Sequence, residues 1–196
     1  MSWEFKQSFK RYILGPIASG DFSGGSFSAT GGSINVEAGG IGQVNFQGAI
    51  NASGHEGTLA LQISNPTVQI TGPNSGVLYG TFTNDGDANY IAIANLGFSS
   101  VAVSGSTLTA TGSYATLTGA AAAGFGGFYG AGTDLDPVSF SVSLGGEVPC
   151  DATTDPVELA QTGAGNNAMM GLIALGGITL LLGLALVRSR RRVTLA

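Results

Sequence analysis

Apolar and polar residues alternate along most of the chain between positions 17 and 144, with Ser, Thr, Gly and Asn at the polar positions. A period of two predicts short β-strands that bury one face. The pattern is clearest in Thr58–Ile63 and Thr67–Ile70, which Asn65-Pro66 separates. Roughly ten strands bounded by turn residues predict an antiparallel, β-sandwich-like domain. The other predicted strands are Ile17–Phe22, Ser26–Val36, Gly42–Ile50, Val77–Thr83, Tyr90–Ala94, Ser99–Val103, Ser106–Thr111 and Val138–Leu144.

A helical pattern precedes the strands. Apolar residues recur at three- and four-residue spacing and predict an amphipathic helix over Trp3–Ile13, ended by Gly15-Pro16. Glu4 would then lie in its first turn, where a carboxylate complements the helix dipole. The shared face consists of Phe5, Phe9, Tyr12 and Ile13. On this pattern alone, Tyr12 is best read as a core tyrosine whose hydroxyl has a partner.

A second, short helix is predicted over Ala120–Phe125. Four consecutive alanines favour a helix, and Thr118 stands where an N-cap residue belongs. Gly126–Gly132 then reads as a loop that carries Phe128 and Tyr129.

Charge excludes one large class of partner. Residues 1–162 contain 3 Lys/Arg against 12 Asp/Glu, a net charge of −9. So acidic a domain is a poor candidate for binding nucleic acid. The chain also has one histidine, His55, and one cysteine, Cys150, so a closed zinc site, a catalytic triad and an internal disulfide have too few residues to draw on.

Two acidic segments read as turns. Asp85-Gly86-Asp87 has the spacing of the first ligands of a calcium loop, but Tyr90 and Leu96 stand where such a loop needs Gly and Glu. Asp134 and Asp136 precede a proline and are more typical of a turn than of acid–base chemistry.

The C-terminal region has three parts in a fixed order. Leu159-Ala160-Gln161-Thr162-Gly163 is followed by the uncharged run 168–187 and by the arginine-rich tail 188–192. The run is long enough to cross a bilayer as a helix, and the arginines place the C-terminus in the cytoplasm. The order resembles a sortase sorting signal of the LAxTG type found in Gram-positive actinobacteria. The resemblance implies cleavage between Thr162 and Gly163 and attachment of Thr162 to peptidoglycan, with residues 145–158 as a linker.

The N-terminus does not match this destination. Met1-Ser2-Trp3 leads directly into the predicted helix, without a basic segment followed by an apolar one. We therefore expect an export signal upstream of the given start. The alternative is that the sorting signal is not used.

Five motifs follow one another along residues 1–144. They are residues 2–20, Gly54-His55-Glu56-Gly57-Thr58-Leu59, Ile63-Ser64-Asn65-Pro66, Leu117-Thr118 and residues 125–138. Together they resemble the HtaA domain, a family of haem-binding surface proteins of actinobacteria. The resemblance implies a β-sandwich-like fold with helices beside a non-covalent haem b, and no enzymatic activity. It also implies other haem-binding surface proteins or a haem transporter as partners.

The resemblance also implies roles for particular residues. In the family a tyrosine of the first helix ligates the haem iron and a histidine hydrogen-bonds to it, and the matching residues here are Tyr12 and His55. Tyr129 matches a second pocket tyrosine. A phenolate is a hard anionic donor that suits ferric iron. Pocket walls are expected from Phe9, Phe125 and Phe128, and contacts with the haem propionates from Ser8, Lys10 or Arg11.

Two other functions remain open from the sequence. A structural or adhesive wall module would have the same Ser/Thr/Gly-rich strands and anchor but bind no haem. A haem-degrading or peroxidatic enzyme would need a distal acid–base group, and the single histidine already has another expected role.

Overall fold

In the computed structural model, the N-terminal segment enters the fold before any helix begins. The structure describes residues 1–125, 128–145 and 157–158. Helix α1 spans Gln7–Leu14, so the predicted start at Trp3 is wrong. Trp3 instead lies before the helix, with its backbone N–H donating to the Gly25 carbonyl at 2.9 Å, and Phe5 has a φ of +66°. Glu4 consequently lies outside the helix.

The strands among the described residues are β1 (Asp21–Gly24), β2 (Ser28–Asn35), β3 (Ile41–Gln47), β4 (Ala49–Gly54), β5 (Leu59–Gly72), β6 (Ser75–Asn84), β7 (Asp87–Ser104), β8 (Thr107–Leu117), β9 (Asp134–Leu135), β10 (Phe140–Ser143) and β11 (Val157–Glu158). They form one antiparallel sheet whose main path is β10-β8-β7-β6-β5-β3-β2-β11, with β4 between β1 and β5 and β9 beside β8. Consecutive strands from β5 to β8 are neighbours joined by short turns, whereas β1 pairs with β4. The prediction of a mainly antiparallel β domain is confirmed.

Two pairs of predicted strands are each one long strand. The residues Asn65-Pro66 do not end β5, because Asn65 takes a φ of +48° and the register with β6 shifts between Ser64 and Thr67. β7 likewise continues through a register shift at Gly97 and Phe98. Such irregularities bend a strand without ending it. The first half of β5 pairs with β4 and the second half with β3, so the sheet divides at the bend.

The sequence predicts a core between two sheets. In the structure, the bent strands allow a single sheet to enclose the core. Phe46 of β3 and Phe140 of β10 lie in distant strands, yet their rings meet edge to face with centroids 5.5 Å apart. A Cβ on Gly40 would lie 2.9 Å from a methyl carbon of Leu108, so this glycine allows the two regions to pack closely. The sheet is therefore curled around a single apolar core, which burial of its inner face stabilises.

The predicted turn at Asp85-Gly86 agrees with the structure, whereas Asp134, also predicted in a turn, lies in β9. The second helix is present but begins one residue before its predicted start and ends two residues before its predicted end. Asp85 and Gly86 join β6 to β7 with φ values of +49° and +88°, as a type I′ hairpin turn requires. Helix α2 spans Gly119–Ala123. The Thr118 hydroxyl accepts from the backbone N–H of Ala121 at 3.2 Å, which confirms the predicted cap.

We expect Thr118→Ala to lower the free energy of unfolding by about 1–2 kcal/mol, because N-cap hydroxyls contribute about that much. Thr118 also donates to the Ala92 carbonyl at 2.5 Å, which ties α2 to β7. Urea denaturation of the variant beside Thr118→Ser measures the effect. Equal losses in both variants would show that the hydroxyl is not the cause.

No helix among residues 1–125, 128–145 and 157–158 is long and apolar enough to cross a bilayer. The predicted membrane segment 168–187, the sorting signal 159–163, the tail 188–192 and Cys150 lie outside the described residues.

Candidate functional site

Tyr12 and His55 are 43 residues apart in sequence and meet where α1 lies against β4. The Tyr12 hydroxyl oxygen is 2.5 Å from Nε2 of His55, a short hydrogen bond. Tyr12 is half-buried and His55 is exposed, so the pair lies at the surface. The tyrosine oxygen is thus held in one orientation while remaining accessible to a ligand.

His55 is held in place by its backbone. It opens a single 3-10 turn, His55–Gly57, between β4 and β5. Its N–H donates to the Ala18 carbonyl at 2.8 Å, in the turn that follows α1. The φ values of His55, Glu56 and Gly57 are +53°, +55° and +93°. Left-handed conformations at two non-glycine residues cost of order 1–3 kcal/mol each and are concentrated at functional sites.

Tyr129 belongs to the same cluster. It is half-buried, and its phenol is close enough to Tyr12 for the two to interact electrostatically. Its ring packs edge to face on Phe9 and Phe125, with centroids 5.9 and 5.5 Å away. The structure therefore brings together the three polar residues that the resemblance named.

The three predicted wall residues are placed differently from one another. Phe9 and Phe125 are only 2% and 7% exposed, so they form an aromatic floor beneath Tyr129. Phe5 stacks on Phe125 at 5.2 Å and extends this floor toward the core. Phe128 is 84% exposed and so does not belong to this buried floor.

Contacts that the sequence analysis did not predict hold the site together. Phe22 of β1 packs edge to face against Phe9 at 6.5 Å. The indole N–H of Trp3 donates to the Asp136 carbonyl at 2.9 Å, and the Asp136 N–H donates to the Phe5 carbonyl at 2.9 Å. The Asp134–Asp136 segment thus anchors the loop of Tyr129 to the N-terminal segment. An aromatic residue in the first strand after the helix was the available signal for Phe22.

Three cationic side chains lie near the site, and they differ in how many contacts they make with the protein. Lys10 forms an ion pair with Glu4 at 2.6 Å and lies 5.4 Å from the Phe22 ring centroid. Lys6 donates to the Asp134 carbonyl at 2.6 Å. Arg11 is exposed in the last turn of α1, beside Tyr12. Among the described residues, Arg11 is the cation with most freedom to meet an acidic ligand group.

Burial raises the pKa of the Tyr129 phenol above its ordinary value, and Tyr12 nearby raises it further. The higher pKa favours the neutral phenol, which can donate a hydrogen bond to a ligand.

We expect the stability that Tyr129 contributes to be fully present below pH 10 and to fall as the pH rises through its higher folded-state pKa. The reason is that ionisation is easier in the unfolded chain. Urea denaturation at a series of pH values measures the loss of stability. In a spectrophotometric titration of tyrosinate absorbance, Tyr129→Phe should remove a step that lies above pH 10. An unchanged titration in that variant would contradict the assignment.

The arrangement has the chemistry of a ligand-binding site more than that of a catalyst. A phenol fixed by an imidazole can present an anionic oxygen to a metal ion, and an apolar floor suits a flat organic ligand. Among the described residues no group of three or more His, Cys, Asp or Glu side chains forms a metal cluster. The proposed sortase residues Thr162 and Gly163 lie outside the described residues.

The fold and the site define a small antiparallel β domain whose N-terminal helix lies against a curled sheet and presents a tyrosine to a histidine. The sequence model of the Htaa (HtaA) family matches residues 1–141, and the chain belongs to this family. No curated protein sequence matches significantly.

Solved structures from Corynebacterium glutamicum are similar to this chain. The C-terminal domain of HtaA is 31% identical, with a TM-score of 0.65, over 74% of this chain and 94% of that one. A domain-swapped dimeric histidine-to-alanine variant of that domain is 32% identical, with a TM-score of 0.59, over 70% and 91%. The haem-binding protein HtaB, at 23% identity and a TM-score of 0.52 over 72% and 92%, shares the fold.

Proposed function

We propose that this chain binds ferric haem at the cell surface and passes it on for haem-iron uptake, with Tyr12 as the axial ligand. The 2.5 Å contact between Tyr12 and His55 is the observation that carries the proposal. A metal ligand whose orientation is fixed by a second side chain is the usual arrangement at metal sites in proteins. Membership of the HtaA family and the haem-binding name of HtaB support it.

The residues present fit the chemistry of non-covalent haem b. Haem supplies a ferric iron that accepts a hard anionic oxygen, as in other tyrosine-ligated haems. With His55 as the tautomer that carries its proton on Nε2, the imidazole would donate to the Tyr12 oxygen and orient it toward the iron. Tyr129, on its aromatic floor, supplies a second hydrogen-bond donor and apolar contact. We propose that Phe128 and Arg11, which are both exposed, contact the macrocycle and a propionate.

An accessible site suits transfer better than storage. Tyr12 is half-buried and His55 exposed, so a bound haem would keep part of its surface open to a partner protein. We propose other haem-binding surface proteins or a haem transporter as those partners. We propose further that the segment 159–163 is a sortase substrate, that Thr162 becomes linked to peptidoglycan, and that the apolar run 168–187 holds the chain in the membrane before that.

Titration of the purified chain with hemin tests the proposed function. We expect one equivalent to bind, with a Soret band and a phenolate-to-iron charge-transfer band. A protein that stays colourless would instead favour a structural or adhesive wall module. Haem that is lost on incubation with reductant and oxygen would favour a degrading enzyme.

We expect His55→Ala to weaken hemin binding by about 10–100-fold, because removal of a group that supports a metal ligand typically has that effect. Competition with apomyoglobin measures the change, and Glu56→Ala in the same turn is the matched control. The oligomeric state of each variant should be checked by size-exclusion chromatography, since a histidine-to-alanine variant of a relative is a domain-swapped dimer. Unchanged affinity in a monomeric His55→Ala would contradict the role of this residue.

A further inference from the structure

The outer face of the sheet, away from α1, has a hollow that lies outside the proposed haem site. Phe22 of β1 is paired with Ala52 of β4, and its side chain contacts Phe9 of α1. Because side chains alternate along a strand, the neighbours of Phe22 and Ala52 point to the opposite face, away from α1. The hollow has a volume of about 360 Å³. Its polar lining consists of Asp21, Ser23, Asn51, Ser53, Gln62 and Thr83.

The register places these side chains in a continuous row across four strands. Ser23 lies opposite Asn51, Asn51 opposite Gln62, and Gln62 opposite Thr83. The Gln62 side-chain N–H donates to the Asn51 side-chain oxygen at 2.8 Å, which orients both amides. The remaining N–H groups and the Gln62 oxygen are left for a ligand. The hollow thus offers donors, acceptors and hydroxyls, and Asp21 is the one carboxylate in its lining.

A pair of aromatic rings stands next to this row. Tyr90 of β7 and Tyr79 of β6 are nearly parallel, at 12°, with centroids 6.1 Å apart. Tyr90 is 59% exposed, and it lies two residues along β7 from Ala88, the partner of Thr83. An exposed ring supported by a second ring is a rigid, flat apolar surface within about 7 Å of the polar row.

We propose that this outer face binds a neutral oligosaccharide of hexopyranose units. The apolar face of a pyranose ring stacks on tyrosine, while its hydroxyls pair with amides, hydroxyls and a carboxylate. The net charge of −9 over residues 1–162 disfavours a polyanionic glycan. The face is distinct from the Tyr12–His55 pair, so the proposal does not depend on haem binding.

Isothermal titration of the full chain tests the proposal, in a detergent whose head group is not a sugar. Chitotetraose and cellotetraose are the probes. We expect saturable binding of at least one, weakened about 10-fold or more in Tyr90→Ala and in Gln62→Ala. Hemin titration of both variants should be unchanged.

Tyr114→Ala is the matched control. Tyr114 is 55% exposed, and its ring covers Gly97 of β7, seven residues or about 20 Å along the strand from Tyr90. This variant should bind the oligosaccharide as the parent does. Absence of binding by the parent to both probes, or equal weakening in Tyr90→Ala and Tyr114→Ala, would overturn the proposal.

Discussion

Replacing Tyr12 with phenylalanine should abolish the phenolate-to-iron charge-transfer band and weaken hemin binding by more than about 100-fold. The substitution removes one oxygen and keeps the ring, so packing of the half-buried side chain is preserved. Loss of a supporting group alone costs about 10–100-fold at metal sites, and loss of the ligand itself should cost more. Hemin titration followed by absorbance measures both effects.

Two matched variants make the Tyr12→Phe result specific. Tyr129→Phe removes a phenol from the same cluster and should keep the charge-transfer band, with a smaller loss of affinity. Tyr114→Phe removes an exposed phenol outside the site and should behave as the parent does. A band that survives in Tyr12→Phe and disappears in Tyr129→Phe would move the ligand to Tyr129.

Within the segment that joins α1 to the sheet, Gly20→Ala should be the glycine-to-alanine substitution that lowers stability most. A Cβ at this position would overlap the backbone oxygen of Ser53. Backbone atoms cannot move aside as a flexible side chain can, and Gly20 is also bonded through its N–H to the Ile13 carbonyl at 2.9 Å. We expect a loss of about 3 kcal/mol in the free energy of unfolding, at the upper end for overpacking.

The effect of Gly20→Ala should reach the site, because Ser53 lies two residues before His55. Hemin affinity should therefore fall together with stability. Gly119→Ala is the control, since a Cβ there meets nothing within 4 Å and alanine favours the helix. Denaturation and hemin titration of both variants check the prediction. A Gly20→Ala protein as stable as Gly119→Ala would contradict the close approach of Gly20 to β4.

Local patterns predicted the elements better than their ends. Alternation identified the strands, since it records which face is buried, but it carried no information on the bends at Ser64–Thr67 and Gly97–Phe98 that make one sheet wrap around the core. The start of α1 was misplaced for a related reason. Phe5 has helical spacing with Phe9, yet Trp3 and Phe5 are held by Gly25 and Asp136, the latter 133 residues from Trp3.

The candidate site depends even more on long-range contacts, which local sequence patterns do not predict. Periodicity placed Tyr12 on a helix and His55 in a turn, and neither observation joins them. Their contact depends on β1 pairing with β4 and on the bond from His55 to Ala18, both long-range features. Family resemblance named Tyr12, His55 and Tyr129, and the structure adds their distances, the strained turn and the buried floor of Phe9 and Phe125.

Resonance Raman spectroscopy of the hemin-loaded chain, excited in the charge-transfer band, tests iron ligation by Tyr12 most directly. With ring-deuterated tyrosine incorporated, phenolate ring vibrations should be enhanced, should shift with the label, and should be absent from Tyr12→Phe. Vibrations that do not shift with the label, or that persist in Tyr12→Phe, would contradict iron ligation by Tyr12.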